Sequence, residues 1–523
     1  MALMRNARHA LPFLLLAGCG GGEPLLGPAT QYARRVAFLD DRAIDEEFRL
    51  YVASDNGQTL DLTGTLGGGD VLSYAWSSNE RHLAFIADAF ADGVNQLFVA
   101  DSTDGARTEV ALGLPPFGIV GSFAWAPNGS RIAFVAESTT LGAFEISSVR
   151  PDGTGGVLLS PIYAPGQFVS RVQWSPDSTR IAYAANQDDT SAQELFVAPA
   201  DGSSAAVKVS GTMIPSGGLA SGEGAFAWSP DGTSIAYRAD QETDGLIELY
   251  VSSSDGTSNE KVSGPVSGAL STFEWAPNGS RIAYLATQQT PGRVDLYTVL
   301  PDGTDNARVS ADLTPGGNVE LFAWSPASDR LAYRADQELD TRPSLHTVSA
   351  TGGTATTISG ALFDVGVGAF AWSPDASRVA YIARQDSFLL SELYTVRPDA
   401  TQNVKVSGNF TAFGSVDEFV WNPNSSSLAY LANIDDQNVR EVHVTGALGG
   451  SSRVSGPSVA TIQACDWTTD GSTVVYLGQQ STPGISELYR VVLGVGQAKL
   501  SGTQAPGGNV VSFAVPGRPQ PGN

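Results

Sequence analysis

The sequence predicts an all-β protein, a β-propeller of four-stranded antiparallel blades with ten blades in one ring. Tryptophan recurs at near-constant spacing, a similar turn and strand follow most tryptophans, and the two chain ends supply complementary parts of one repeat. Intervals between successive tryptophans run from 46 residues (Trp421 to Trp467) to 54 residues (Trp174 to Trp228), close to the length of one propeller blade. The nine tryptophans are Trp76, Trp125, Trp174, Trp228, Trp275, Trp324, Trp372, Trp421 and Trp467.

The clearest copy of the repeat is Gly224–Gly264. Large apolar residues alternate with alanine on either side of the turn Ser229–Gly232, where proline presets one turn angle and glycine accepts positive φ. Four short antiparallel strands in about 40–50 residues are typical of a propeller blade. Each sheet has one face of bulky side chains and one face of small side chains. This indicates that the bulky face of one blade packs against the small face of its neighbour. The predicted strands are Phe226–Trp228, Ile235–Tyr237, Glu248–Ser252 and Lys261–Gly264.

The two ends of the chain together complete one further blade. Near the N-terminus the pattern contains a second, a third and a fourth strand at Val36–Phe38, Leu50–Val52 and Leu60–Thr63. Val510–Val515 has the pattern of a lone first strand, with Val515 at the tryptophan position. We therefore expect N-terminal strands to pair with a C-terminal strand and close a ring of ten blades, more than the usual four to eight. Two smaller propellers in tandem are the alternative.

The repeat resembles that of the TolB-like propellers, also described as WD40-like or PD40 repeats. In that family a W-S-P-D-G turn precedes an I-A-[FY] strand, and Trp228–Gly232 followed by Ile235–Tyr237 matches this pattern in full. Trp174–Asp177 and Trp372–Asp375 keep the first four residues of the turn. The resemblance covers about residues 35–515. It implies a propeller fold and, by analogy alone, work in the bacterial envelope.

Residues 1–18 have the pattern of an export signal. A positively charged start precedes the apolar run Leu11–Ala17, which is too short to span a bilayer. The segment Leu16–Cys19 resembles a bacterial lipobox, which implies cleavage before Cys19 and lipid on its thiol. An ordinary signal peptide with an incidental cysteine is the alternative. Residues 19–33 are rich in glycine and proline, so we expect a flexible tether behind the lipidated cysteine.

These boundaries divide the chain into a signal peptide (1–18), a lipidated cysteine with its tether (19–33), a propeller of about ten repeats (34–516) and a disordered C-terminal tail (517–523). The lipobox resemblance places the protein in the bacterial cell envelope, held to the membrane by lipid alone. Gly20 after the cysteine favours the outer membrane, with the propeller in the periplasm or at the cell surface. Cys465 stands where an apolar first-strand residue is expected, which predicts a buried thiol.

Binding is expected on the face of the ring that carries the variable loops. In a propeller the second-to-third loops share one face with the connections between blades, and variable loops on a rigid scaffold usually carry function. Here these loops are long, polar and mostly acidic. A solvated acidic rim without a ligand is the alternative. The candidate binding residues are Asp40, Asp41, Asp188, Asp189, Glu242, Asp244, Glu338, Asp340, Asp435 and Asp436.

Two further polar positions recur with the repeat. A glutamine follows the second-strand aromatic residue by four positions at Gln187, Gln241, Gln288, Gln337, Gln385 and Gln480. Because an amide both donates and accepts, we interpret this glutamine as a structural link between loops, with a ligand-lining ring as the alternative. An acidic residue opens the third strand at Glu194, Glu248, Asp295, Glu392 and Glu487, which suggests pairing between blades.

The residue types of familiar active sites are sparse in this sequence. His82, His346 and His443 lie in different repeats, and none has the spacing of a zinc or iron site. The sequence contains neither a calcium loop nor a G-x-S-x-G elbow. Carboxylates are so numerous that no pair stands out as catalytic. We therefore assign no catalytic residue, no metal and no cofactor.

Charge and repeat together favour a binding protein. The formal net charge of −24 argues against binding to nucleic acid and to anionic lipid and suits a cationic partner. The sequence favours a non-enzymatic, monomeric scaffold that binds envelope proteins through its acidic loop face. Two alternatives stay open: an envelope hydrolase or lyase acting on glycan or peptide at the channel mouth, and small-ligand binding in the channel.

Overall fold

The computed structural model describes residues 35–41, 47–64, 66, 69–89, 93–111, 113–188, 190–222, 224–268, 270–338, 341–363, 365–410, 414–434, 439–456, 461–504 and 508–517. These residues form forty β-strands and no helix. The strands make ten antiparallel sheets of four strands each, arranged in one ring. This architecture confirms the predicted ten-bladed propeller and excludes two smaller rings in tandem. The predicted signal peptide, Cys19 and the tether lie outside the described residues, as does the predicted tail beyond Gly517.

Each blade contributes one strand to each of four concentric positions. The first strands are β40 (Val510–Ala514) in blade 1 and, in blades 2 to 10, β4 (Val71–Trp76), β8 (Val120–Trp125), β12 (Val169–Trp174), β16 (Phe226–Trp228), β20 (Leu270–Trp275), β24 (Val319–Trp324), β28 (Phe370–Trp372), β32 (Val416–Trp421) and β36 (Ile462–Trp467). The second strands are β1 (Val36–Asp40), β5 (His82–Ala87), β9 (Ile132–Ala136), β13 (Arg180–Ala185), β17 (Ser234–Ala239), β21 (Ile282–Ala286), β25 (Arg330–Ala335), β29 (Val379–Ala383), β33 (Ser427–Ala432) and β37 (Thr473–Gly478).

The remaining strands complete the blades in the same order. The third strands are β2 (Arg49–Ala53), β6 (Gln96–Asp101), β10 (Glu145–Val149), β14 (Glu194–Pro199), β18 (Glu248–Ser253), β22 (Asp295–Val299), β26 (Ser344–Ser349), β30 (Glu392–Val396), β34 (Glu441–Gly446) and β38 (Glu487–Val492). The fourth strands are β3 (Thr59–Asp61), β7 (Arg107–Glu109), β11 (Val157–Leu158), β15 (Val207–Lys208), β19 (Asn259–Lys261), β23 (Ala307–Arg308), β27 (Thr356–Thr357), β31 (Val404–Lys405), β35 (Gly449–Arg453) and β39 (Gly496–Lys499).

The ring closes through strands from both ends of the chain, as the sequence predicts. Strand β40 pairs with β1 in the antiparallel sense, and Phe513 lies opposite Phe38. The complete sheet has the order β3-β2-β1-β40. Val515 follows β40 directly and is buried at the interface with blade 10. Pairing the two ends within one sheet leaves β1 without an open edge, which protects it from pairing with another chain.

A separate hydrophobic cluster fills each of the ten interfaces between neighbouring blades. Between blades 4 and 5, Trp228 packs against the small side chains of Ala182 and Ala184. The last cluster joins blade 10 to blade 1 through Leu488 and Phe38. Large side chains therefore meet small ones across the interfaces, and no blade could bury both of its faces alone.

The fourth strand of the repeat begins two residues earlier than the sequence suggests. We expected Lys261–Gly264, whereas β19 spans Asn259–Lys261. The ladder ends because Ser263 interrupts it: its Oγ accepts a hydrogen bond from the Leu249 N–H at 3.1 Å. The Val262 N–H still donates to the Leu249 carbonyl oxygen at 2.9 Å, so one carbonyl anchors the chain as it leaves the sheet.

Cys465 occupies a first-strand position whose side chain points into the interface between blades 9 and 10. Its thiol is free and buried and belongs to the same cluster as Trp467 and Tyr476. Burial raises the pKa of this thiol well above its usual value. The group therefore stays protonated and serves as a small apolar side chain, which agrees with the sequence analysis.

Candidate functional site

The two faces of the ring differ in the backbone that they expose. On one face the turns are tight, as at Ser229–Gly232, where the Gly232 N–H donates to the Ser229 carbonyl at 2.8 Å and Gly232 has φ of 70°. The second-to-third loops and the connections between blades lie at the other end of the ring, which we call the loop face. First strands of neighbouring blades contact each other, so they surround the central channel and the fourth strands lie at the circumference.

Two of the predicted loop-face residues are buried at the closure of the ring. The side chain of Gln504 donates through Nε2 to Asp40 Oδ2 at 3.1 Å. The Asn509 N–H donates to Asp41 Oδ1. Both aspartates are buried, so they connect β1 to the segment that precedes β40. Their carboxylates fasten the two chain ends together and are not open to a partner.

Four further candidates lie on the second-to-third loops with exposed side chains. Asp188 Oδ2 lies 3.5 Å from Lys208 Nζ, and Glu242 Oε2 lies 2.7 Å from Lys261 Nζ. Glu338 Oε1 accepts from the Thr357 hydroxyl at 3.2 Å. The fourth, Asp244, is also exposed. The remaining candidates, Asp189, Asp340, Asp435 and Asp436, lie outside the described residues.

The acidic residues that open the third strands pair within their own blade, and not between blades as the sequence suggested. In blade 4, Lys208 Nζ on β15 lies 2.7 Å from Glu194 Oε1 on β14. Burial alone would lower the pKa of Lys208, but the hydrogen bond and the charge of Glu194 raise it. The same pair recurs as Lys261–Glu248, Arg308–Asp295, Lys405–Glu392, Arg453–Glu441 and Lys499–Glu487. The third strand and the fourth strand are thereby cross-linked in six blades.

The recurring glutamines take part in hydrogen bonds that join blades, as their structural interpretation predicts. Tyr237 donates its hydroxyl proton to Gln241 Oε1 at 2.6 Å. The same oxygen accepts from the Gly211 N–H of the connection that enters blade 5 at 3.0 Å. Asn259 Nδ2 donates to the Tyr237 hydroxyl at 2.6 Å and to the Val209 carbonyl at 3.1 Å. The buried polar groups of this junction are therefore satisfied by each other.

Large apolar side chains are exposed on the loop face, a feature that the sequence analysis missed. Phe117 and Ile162 lie on the connections into blades 3 and 4, and Leu141 lies on the loop between them. This loop is joined to the second connection because the Gly166 N–H donates to the Gly142 carbonyl at 3.0 Å. Hydrophobic periodicity identifies strands, so it does not identify exposed apolar residues in loops. A large apolar residue within an otherwise acidic, polar loop is the sequence signal that could have indicated them.

A second exposed apolar group lies across the ring, on blade 8. Phe363 lies on the connection into this blade, and Phe388 and Leu389 lie on its second-to-third loop. The Phe363 N–H donates to the Arg384 carbonyl at 3.1 Å. The Arg384 guanidinium in turn donates from Nη1 to the Phe388 carbonyl at 3.1 Å. These bonds hold the two segments together, so the aromatic side chains share one surface.

The central channel is lined by charges of both signs. Arg334 Nη2 lies 2.9 Å from Glu320 Oε2, and Arg440 Nε lies 3.1 Å from Asp417 Oδ2. Glu274 lies on the first strand of blade 6, and its side chain is exposed to the channel. The surrounding blades nevertheless displace much of the water around its carboxyl group, which raises the pKa to about 7. A carboxyl group of this kind can exchange a proton near neutral pH. Burial also raises the pKa of Glu418, on the first strand of blade 9.

Metal-binding groups and membrane-spanning helices are both absent from the described residues. Within these residues, no group of three or more histidine, cysteine, aspartate or glutamate side chains is placed to hold a metal ion. The same part of the chain has no helix with the length and apolar character that a membrane span requires. The described architecture is that of a ten-bladed β-propeller protein.

Neither a known family model nor a curated protein matches the sequence. Several solved structures show distant similarity to this chain. A eukaryotic initiation factor is 12% identical over 80% of this chain and 96% of that chain, with a TM-score of 0.48. Dipeptidyl peptidase 4 from Porphyromonas gingivalis is 15% identical over 82% of this chain and 59% of that chain, with a TM-score of 0.47. TolB from Acinetobacter baumannii is 15% identical over 52% and 63%, with a TM-score of 0.28. Because all three TM-scores are below 0.5, these similarities support no conclusion about function.

Proposed function

We propose that this propeller is a non-enzymatic, lipid-anchored scaffold of the bacterial envelope that binds another protein through its loop face. One observation carries the proposal: this face exposes Phe117 at 76%, Ile162 at 70% and Phe388 at 59% of their surface. Exposed apolar groups with a polar rim are typical of interaction surfaces. Aromatic side chains commonly supply most of the binding energy at such surfaces.

The exposed loop carboxylates form the polar rim of the proposed contact surface. Glu242 and Asp244 are exposed members of this rim on one second-to-third loop. Rim charges act mainly on the rate of association and on its salt dependence. The double variant Glu242→Gln with Asp244→Asn therefore binds the partner more slowly, with a weaker dependence on salt. Asp189, Asp340, Asp435 and Asp436 belong to the same proposal on the basis of the sequence.

Site-specific photo-crosslinking in the native envelope tests the contact surface. A benzophenone amino acid replaces Ile162 on the loop face or, as a matched control, Val495, which is 84% exposed on a tight turn of the opposite face. The proposal expects an adduct of defined mass from position 162 and none from position 495. Equal adducts from both positions, or none from position 162, would overturn it.

The lipid anchor is a separable part of the proposal and rests on the sequence at Cys19. Growth with a labelled fatty acid, followed by mass analysis of the N-terminal peptide, detects the modification directly. We expect label in the wild type and none in Cys19→Ser, with the variant released into the soluble fraction. A wild type without label would remove the anchor from the proposal, whereas the loop-face contact would still be decided by crosslinking.

A second candidate function is proton-transfer chemistry on a glycan or peptide in the channel, as in a hydrolase or lyase. The observation that favours it is the raised pKa of Glu274, to about 7, since a catalytic base works best near the pH of its surroundings. Turnover in a screen of glycans and peptides that is lost in Glu274→Gln would support this candidate. Turnover that survives in the variant would exclude Glu274 as its base.

A further inference from the structure

Blade 2 departs from the ion-pair pattern that links the third and fourth strands in six blades. Blades 3 and 7 also lack the pair, with the uncharged residues Leu158 and Thr357 at the position of the cation, whereas blade 2 has a carboxylate there. In blade 4 the paired residues are Glu194, opposite Ala185, and Lys208, opposite Phe196. By the same register the residues of blade 2 are Gln96, opposite Ala87, and Glu109, opposite Phe98. The cation of the pattern is therefore replaced by a carboxylate, and the carboxylate by a neutral amide.

Blade 1 shows what the chain does when a carboxylate stands on the fourth strand. There Asp61 occupies the position of Glu109, and Arg49 occupies the position of Gln96. Arg49 Nη1 lies 3.6 Å from Asp61 Oδ2, so the pair is kept with its charges exchanged. Blade 2 has the acidic half of this exchanged pair without its arginine.

Among the described residues, no ion pair joins the third and fourth strands of blade 2 at Gln96 and Glu109. Gln96 Oε1 is buried and accepts no hydrogen bond there. Burial raises the pKa of Glu109, and no described cation forms an ion pair with this carboxylate. Arg107, two residues before Glu109, is directed elsewhere: its guanidinium lies 5.0 Å from the centre of the Phe98 ring and donates to the Thr63 carbonyl.

These groups line a cavity of about 250 Å³ at the loop face. Apart from Gln96 and Glu109, the lining residues have apolar side chains or are glycines, and they include Leu114, Pro115 and the exposed Phe117. The volume lies below the range of about 300–1,000 Å³ typical of sites for small molecules. It suits a single side chain whose methylene stem packs on the apolar wall while its charged end meets the carboxylate.

We infer that the blade 2 cavity binds the lysine or arginine side chain of a partner protein, which takes the place of the cation that the chain itself supplies in blades 4 to 6 and 8 to 10. The charged end would lie between Glu109 and Gln96, and Phe117 at the mouth can add a cation–π contact. This inference rests on the proposed function, since it names part of what the loop face recognises.

Saturation-transfer NMR on the full-length protein tests the site, because it detects weak ligands of a large protein through the ligand signal. The probe is lysine blocked at both ends as N-acetyl-lysine methylamide. The same blocked forms of arginine and of uncharged norleucine are compared with it, and butylamine represents a free amine. We expect transfer to the blocked lysine or arginine at least fivefold above that to norleucine. Equal transfer to norleucine would overturn the inference. Butylamine has the same stem and charged end as the lysine side chain, so it should give a signal as well.

Three variants connect the signal to the cavity. Glu109→Gln keeps the shape and removes the charge, and we expect the lysine signal to fall at least fivefold. Gln96→Glu with Glu109→Lys rebuilds the ion pair of blade 4, so binding is lost while thermal stability is kept or raised. Glu260→Gln, on the exposed part of β19 in blade 5, leaves the signal unchanged. A lysine signal that persists in the first two variants would place binding elsewhere.

The outcomes for the cavity and for the scaffold are separate. The blocked lysine reports on the cavity whether or not any partner is found by crosslinking at position 162. Lysine binding that depends on Glu109, without a crosslinked partner, would uphold the cavity and overturn the proposed contact surface. A crosslinked partner that is bound equally well by Glu109→Gln would uphold the surface and overturn the role of the cavity.

Discussion

The indole nitrogen of Trp372 donates a hydrogen bond to the carbonyl oxygen of Ala323, 3.2 Å away in the preceding blade. Ala323 is the residue immediately before Trp324, the equivalent tryptophan of that blade. The same bond links Trp76, Trp125, Trp174, Trp228, Trp275, Trp324, Trp421 and Trp467 to the preceding blade. For Trp76 the acceptor is Ala514, which precedes Val515. Only blade 1 lacks the donor, because Val515 takes the place of tryptophan.

Replacing Trp372 by phenylalanine should therefore weaken the contact between blades 7 and 8. The change removes one buried hydrogen bond and part of a buried ring, so we expect the free energy of unfolding to fall by about 1–3 kcal/mol. The midpoint of urea unfolding measures this loss. Trp125→Phe, which removes the equivalent bond to Ala75, should give a loss of similar size. Unchanged midpoints in both variants would show that these bonds do not stabilise the ring.

The seam between blades 10 and 1 depends on the side chains of β40. Phe513 is buried there, whereas Val511 on the same strand is exposed. We expect Phe513→Ala to lower the free energy of unfolding by about 3–5 kcal/mol. The control Val511→Ala should change it by less than about 0.5 kcal/mol. Hydrogen exchange in β1 should accelerate in the first variant alone. Similar behaviour of both variants would contradict the closure of the ring through this strand.

His346 makes stability sensitive to acid. The imidazole is buried against Tyr333, with ring centres 5.1 Å apart, and burial lowers its pKa from 6.5 to about 4. The unfolded chain therefore binds more protons than the folded chain between pH 6.5 and 4, and stability falls as the pH falls through this window. The loss approaches about 3 kcal/mol at pH 4.

His346→Phe should remove this part of the pH dependence. Phenylalanine already occupies the equivalent position of blade 4 as Phe196, stacked on Tyr183. Unfolding midpoints measured at pH 7 and at pH 4.5 should therefore differ less in the variant than in the wild type. An unchanged difference would mean that other groups cause the acid sensitivity.

Glu274 should act on stability in the opposite direction. In the folded protein the Glu274 carboxyl group stays protonated up to about pH 7. In the unfolded chain the same group loses its proton near the ordinary glutamate pKa of 4.5. Stability therefore falls as the pH rises between these two values. Because solvent in the channel screens the charge, we expect Glu274→Gln to gain only about 1 kcal/mol over the wild type at pH 8. Thermal unfolding at pH 5 and pH 8 measures the effect. Glu260→Gln, with an exposed side chain, should leave the profile unchanged.

The first three strands of the clearest repeat and the strands at both chain ends could be predicted, but the start of the fourth strand and the partners of most side chains could not. The alternation around Trp228 and the end strand Val510–Val515 both have local patterns that report on secondary structure. The ion pair of Lys208 with Glu194 joins residues on different strands, and it depends on the register of β14 and β15. The burial of the candidate binding residues could not be predicted for the same reason. Asp40 and Asp41 are acidic loop residues in the sequence, and only the seam shows that they are buried.

The sequence by itself determined the repeat, the four-stranded blade, the count of ten and the closure by strands from both ends. Each of these follows from hydrophobic alternation and turn residues, which act over a few neighbouring positions. The tertiary structure decided which charges are compensated and which apolar side chains are exposed. It showed that Glu109 faces a cavity in which no described residue supplies a cation. That property depends on strands that are distant in the sequence. Burial and pairing are properties of the assembled ring, and they set the chemistry of its loop face.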